Sequence, residues 1–126
     1  MERLNLDNVS EYFRDLAHLT DEELSTYLPT VNSAAAYFVR LLKRDPNGKT
    51  EYALCEYACA CKAFFDYTVL RAATAKTYST QSGGIYARLS EDKTVQNAEM
   101  LMRNAMAALP CELIRDDGFI FEGMEG

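Results

Sequence analysis

The feature that most constrains this chain is the run from Thr50 to about Lys76, which contains neither glycine nor proline and in which alanine recurs. Such a run predicts one continuous helix, because nothing in it penalises helical backbone. At ~1.5 Å per residue the helix would be roughly 40 Å long. At ~100° per residue, Glu51, Lys62, Asp66 and Lys76 fall within about 80° of one another and form a narrow solvated stripe. The rest of the circumference carries Leu54, Tyr57, Phe64, Phe65, Tyr67, Val69 and Leu70, broken only by Glu56 and Arg71, with small residues spread all round. A helix apolar on most sides is covered on most sides. Here the cover has to come from the remaining helices, a partner subunit, or both.

The chain has 126 residues, enough for one domain with a sizeable core and too few for a second. Apolar residues at 48% and charged residues at 25% describe a globular chain. A net charge of −6 argues against a surface that grips nucleic-acid phosphates. It suits a surface past which DNA moves without sticking. Met1 to Leu6 has no basic stretch leading into an apolar one, and no run is long and uncharged enough to span a membrane. Four cysteines in helical pattern, with no mark of secretion, point to reduced thiols in a cytosol.

Asn5 to Ala17 reads as an amphipathic helix capped by Asp7 or Asn8, with Val9, Tyr12, Phe13 and Leu16 on one face. Thr20-Asp21-Glu22-Glu23 is a capping box that opens a second helix. Leu24, Leu28, Val31, Ala35, Phe38 and Leu42 recur every three or four residues straight through Pro29. The phase predicts one helix from Asp21 to Arg44 kinked at Pro29, or else two helices meeting there. Asp45-Pro46-Asn47-Gly48 is a turn, after which Thr50 caps the central helix. Residues 77–89 read as a polar, glycine-containing loop or hairpin, with Ile85 to Leu89 as a candidate strand. Ser90 would cap a fourth helix, Glu91 to Leu109, stopped or kinked at Pro110, with Cys111 to Ile114 as a further turn. Beyond the Asp116-Asp117-Gly118 turn, residues 118–124 read as a β-prone strand that pairs with Ile85 to Arg88 or reaches out as an arm. The fold class is therefore mainly α: a single compact bundle of about four helices around a long central one, with a short β-prone loop and C-terminal strand.

No constellation for catalysis, cofactor binding or metal binding stands out. Cys55 and Cys59 lie one turn apart, but Cys61 points about 200° away from Cys59, so one tetrahedral ion cannot collect all three. Small buried residues that let helices approach are the plainer explanation for them, and for Cys111. His18, the single histidine, follows a helix end, where a cation suits the helix dipole. It has no matched nucleophile or carboxylate. Gly83-Gly84 lacks the lysine of a phosphate loop and the spacing of a dinucleotide fold, and reads as a turn. The eight tyrosines suit half-buried positions, either at helix boundaries or at an interface.

Four stretches resemble the head–tail connector, or head-completion, proteins of long-tailed bacteriophages and prophages. They are Leu24 to Leu42 with its Ala34-Ala35-Ala36-Tyr37-Phe38-Val39 segment, and the Ala- and Tyr-rich run from Tyr57 to Tyr67. The others are the glycine-containing stretch Tyr78 to Arg88 and the ending Leu113-Ile114-Arg115-Asp116-Asp117-Gly118-Phe119-Ile120-Phe121. The resemblance covers about Leu24 to Met124. It implies a non-enzymatic virion subunit at the head–tail junction, present in the host cytoplasm during assembly. Such subunits form a homo-oligomeric ring of about twelve, docked on the portal protein. The ring extends the DNA channel without binding DNA specifically, receives a tail or stopper protein, and needs no cofactor and no membrane. Carried onto this sequence, the contacts to neighbours and portal fall on Tyr78, Gly83, Gly84, Ile85, Tyr86, Arg88, Phe119, Ile120 and Phe121. The chain has a shorter C-terminal tail than many connectors.

Two other classes fit the residues. One is a small cytosolic helical adaptor or regulator that binds a single protein partner. The other is an enzyme or thiol sensor built on Cys55 and Cys59, which requires a bound metal or a thiol of depressed pKa.

Overall fold

The computed structural model describes residues 4–82, 85–110 and 112–114, and within 75–92 the backbone alone. The fold is mainly α, as the periodicity predicts. Four helices follow in order: α1 (Leu6–Ala17), α2 (Asp21–Leu41), α3 (Gly48–Ser82) and α4 (Ile85–Ala107).

The helix ends show which local interactions decide the boundaries. The cap of α1 is Asn5, not Asp7 or Asn8. Its side-chain oxygen accepts from the backbone N–H groups of Asp7 at 2.9 Å and Asn8 at 3.4 Å. Asp7 is thereby moved into the first turn, where its charge faces the positive end of the helix dipole. At the other end His18 adopts a left-handed conformation, φ 55°, and Leu19 N–H donates to Arg14 O at 3.0 Å. His18 therefore ends α1 through its backbone conformation.

The capping box of α2 forms as expected: Glu23 N–H donates to Thr20 Oγ1 at 3.1 Å and Thr20 N–H to Glu23 Oε1 at 2.9 Å. The helix runs as one element through Pro29. It stops at Leu41, short of the expected Arg44, because the chain at Leu42 turns extended and forms an antiparallel bridge with Ile114. Lys43 N–H donates to Leu113 O at 2.8 Å. A pairing between distant parts of the chain here overrides the helical pattern.

The central helix starts at Gly48, whose φ of 81° suits a residue without Cβ. Thr50 is not its cap. Glu51 anchors the start, accepting from Asn47 N–H at 2.8 Å and from the Arg44 guanidinium at 2.9 and 3.3 Å. Arg44, and after it the Asn47 N–H, hold the Glu51 carboxyl below its usual pKa.

The expected loop or hairpin over 77–89 is not what the chain forms. α3 continues to Ser82 and α4 begins at Ile85, so Ile85 to Leu89 is helical and Ser90 lies inside α4, not at its start. Residues 77–82 and 85–90 contain no glycine or proline, and extending an existing helix over polar or β-branched residues costs only tenths of a kcal/mol each. A lone two-stranded hairpin has less to hold it. The expected pairing of Phe119-Ile120-Phe121 with Ile85 to Arg88 is thus removed, and 118–124 itself lies outside the described residues. α4 ends at Ala107, two residues before the expected Leu109, and Leu113 N–H closes a turn onto Pro110 O at 3.0 Å. So short a link between α3 and α4 makes them antiparallel neighbours.

At ~1.5 Å per residue α3 is about 52 Å long, far longer than α1 or α2. Its consecutive residues Ala58, Cys59, Ala60 and Cys61 are all fully buried, and so is Ala63. Four successive positions span about 300° of a helix, so α3 is enclosed on nearly every side at that level. Only small side chains leave room for neighbours that close. The bulk of the core comes from the partners: Val9 and Phe13 of α1, Val31 and Phe38 of α2, Met102 of α4, and Leu113.

Candidate interaction surface

α1 is tied to α3 by a buried carboxylate. Glu56 is almost wholly buried, and it accepts from Asn5 N–H at 2.8 Å and from Asn8 Nδ2 at 3.1 Å. In the sequence Glu56 reads as an interruption of an apolar face. The signal that identifies it is the cost of burying a charge, which obliges some donor to reach it. The next residue, Tyr57, packs edge-to-face on Tyr12 with ring centroids 5.5 Å apart.

Tyr67 is the hub of a second cluster. Phe13 meets it edge-on at 5.7 Å, Tyr27 edge-on at 4.9 Å, and Phe64 stacks at 6.4 Å. It is only 5% exposed. The sequence suggests Tyr57, Phe64 and Tyr67 as surface left over for a neighbour. The structure corrects this for Tyr67, which α1 and α2 cover; Tyr57 and Phe64 stay half-buried, Tyr57 against Tyr12 of α1 and Phe64 against Tyr67 of its own helix. Two members of the expected solvated stripe also turn inward, for Lys62 pairs with Asp66 at 2.7 Å and lies over the Tyr37 ring at 4.9 Å.

The apolar side chains that do face solvent lie elsewhere. Val69 and Leu70 on α3 are 44% and 52% exposed, and Met100 on α4 is 62% exposed. All three belong to the α3–α4 pair, and Val69 and Leu70 follow Tyr67, the level at which Tyr27 of α2 meets α3. Near that level Leu16, Ala17 and His18 line a shallow pocket with Thr68, Arg71 and Thr94. Leu28 and Tyr12 are exposed singly on α2 and α1, which is ordinary for a protein surface.

Leu6 and Val39 face one another across a groove of about 740 Å3 between the start of α1 and the second half of α2. Leu4, Ala35 and Ala36 complete its apolar lining, with Asn32 and Arg40 as its polar members. The α2 residues Asn32, Ala35, Ala36, Val39 and Arg40 follow the spacing of one helix face. Small residues at 35 and 36 make the hollow, and Val39 makes its wall.

The residues expected to contact neighbours fall only in part among the described residues. Tyr78 belongs to the final turn of α3, and Ile85, Tyr86 and Arg88 to the start of α4, so their backbone flanks the link between the two helices. Gly83, Gly84, Phe119, Ile120 and Phe121 lie outside the described residues.

The thiols are poorly suited to nucleophilic work. Burial pushes Cys55 and Cys61 up to about 11 and Cys59 up to about 12. For Cys55 the nearby Glu51 and Glu56 add to the shift, while for Cys61 a hydrogen bond with Tyr57 opposes it. A thiol sensor needs the opposite displacement. Among the described residues, no three His, Cys, Asp or Glu side chains are placed to share a metal ion. Among the same residues, no helix is long and apolar enough to cross a membrane.

What the arrangement offers chemically is apolar surface: an outward face on the α3–α4 pair and a groove between α1 and α2. Comparison with family models, with curated proteins and with solved structures finds no match to this chain.

Proposed function

We propose that this chain is a non-enzymatic assembly subunit, and specifically a ring-forming head–tail connector of a phage or prophage, docked on a portal and extending the DNA channel toward the tail. The observation that carries the assembly reading is the exposure of Val69, Leu70 and Met100 on the two longest helices. Burying such side chains against a second copy removes apolar area from water. The connector assignment rests on the resemblance of Leu24 to Leu42, Tyr57 to Tyr67, Tyr78 to Arg88 and Leu113 to Phe121. The mainly α fold and the net charge of −6 are compatible with it. Under this reading the link between α3 and α4 and the segment 118–124 meet neighbours and the portal.

The test is electron microscopy of the portal protein incubated with this chain. Added ring density with cyclic symmetry is the expected result. Portal particles unchanged by a large excess of the chain would overturn the connector assignment. A monomer in free solution is compatible with it, because such a ring can form only on its template. The rival adaptor reading predicts instead a stable one-to-one complex with a single partner and no portal affinity.

A further inference from the structure

We infer that the pocket between the first turns of α1 and α3 binds the ammonium or guanidinium head of an organic cation, with the Glu56 carboxylate as its anchor. The pocket lies apart from Val69, Leu70 and Met100, and its occupancy is independent of portal binding.

Three observations carry it. The first is the pocket itself. Asn5, Asn8 and Tyr12 follow one another at three and four residues from the cap of α1 onward, and Lys49, Tyr52 and Glu56 do the same along α3. Each set forms one side of its helix. Together they line a pocket of about 500 Å3, within the roughly 300–1,000 Å3 of small-ligand sites.

The second is a buried carboxylate with no cation beside it. Glu56 is only 6% exposed, and both of its donors are neutral amides: Asn5 N–H reaches Oε2 at 2.8 Å and Asn8 Nδ2 reaches Oε1 at 3.1 Å. A carboxylate oxygen accepts twice, so each keeps a lone pair. Among the described residues, the cations in ion pairs are Arg14, Arg44, Lys62 and Arg103, and all of them face other acids. Lys49 lines the pocket but forms no ion pair with Glu56, from which it stands seven residues, about 10 Å, along the helix axis. Burying a carboxylate unpaired is costly, and a cation entering the pocket offsets that cost.

The third is the rest of the lining, which selects the class of cation. Tyr12 and Tyr52 bring two aromatic rings to the pocket. An aromatic face attracts a positive charge and packs against an alkyl stem. A bare metal ion needs several converging acidic or imidazole ligands, and no such group of three exists among the described residues. One carboxylate, two amides and two rings suit an organic cation instead.

Nuclear magnetic resonance titration of the full chain tests this, with N-acetyl-lysinamide, N-acetyl-argininamide and 1,4-diaminobutane as probes and neutral N-acetyl-norleucinamide as the control. The expected result is a saturating shift of the Asn5 backbone and Asn8 side-chain amides, with a Kd on the order of millimolar for one charge-assisted contact. Tighter binding of the capped residues would mark a protein side chain as the natural occupant, and tighter binding of the diamine a free amine. Glu56→Gln should weaken binding about tenfold or more. Tyr52→Leu keeps the carboxylate and should weaken it about two- to fivefold, which provides a second reading should Glu56→Gln disturb the α1–α3 contact. Lys49→Gln should leave it unchanged or tighten it. Three results would overturn the inference: no shift at ten times the expected Kd, equal shifts with the neutral control, or binding that survives Glu56→Gln and is lost in Lys49→Gln.

Discussion

The two halves of α3 are built from similar residues and meet different fates. Between Cys55 and Tyr67 the helix carries most of its buried residues. Ala58, Cys59, Ala60, Cys61 and Ala63 have no exposed surface, Glu56 is clamped by Asn5 and Asn8, and Tyr67 sits among Phe13, Tyr27 and Phe64. Immediately beyond, Val69 and Leu70 are about half exposed. The difference lies in what covers them. α1 and α2 are 12 and 21 residues long against 35 for α3, so they cannot follow it to its end. Small residues mark the stretch where other helices come closest, and the large apolar residues Val69 and Leu70 after it stay half exposed. One helix is thus wholly buried over Ala58 to Cys61 and carries half-exposed apolar side chains at Val69 and Leu70.

Substitutions can break this contrast, and the largest effect belongs in the covered half. Phe13→Ala removes a fully buried ring that meets Tyr67 edge-on, and should cost about 3–5 kcal/mol in urea unfolding. High pH acts on the same half. The folded chain holds the Cys55, Cys59 and Cys61 protons to about 11–12, whereas an unfolded thiol releases its proton near 8.5–9. A raised folded pKa contributes stability that is present in full below the unfolded value and is lost as pH rises through the folded one. Stability should therefore fall from about pH 9 upward, by on the order of 2 kcal/mol per thiol at pH 11. Cys59→Ala should reduce the slope.

Ala60→Leu adds bulk where α3 has no free side, and should cost about 1–3 kcal/mol. Glu56→Leu leaves the Asn5 N–H and the Asn8 amide without their acceptor and should cost a similar amount, about 1–3 kcal/mol. At the other end of the scale, Val69→Ser and Leu70→Ser should each change stability by no more than about 0.5 kcal/mol. A loss at Leu70 as large as that at Ala60 would erase the distinction between the halves.

Much of the fold was legible because amphipathic helices advertise themselves. The three–four spacing from Leu24 to Phe38 carried α2 through Pro29, and the capping box placed its start. What failed were features set by distant partners or by weak local preference. The stop at Leu41 depends on Leu113 and Ile114, which no window around α2 contains. The polar stretch after Lys76 looked like a loop, yet lacked any residue that forbids helix until Gly83. The apolar character of Tyr57, Phe64 and Tyr67 was plain, but whether each met a neighbouring helix or solvent depended on where α1 lay. The groove was hidden for the same reason: Leu4 and Leu6 are far in sequence from Val39. Glu56 alone carried a usable clue, since an acid on an apolar face needs a donor.

The central claim is that the uncovered end of α3 serves association and not folding. The most direct measurement is electron microscopy of the portal protein with the Val69→Glu/Leu70→Glu chain, after circular dichroism has established that it unfolds at the same temperature as the unmodified chain. The account predicts portal particles with no added ring, alongside clear ring density for the unmodified chain. Equal ring density from both chains would contradict it.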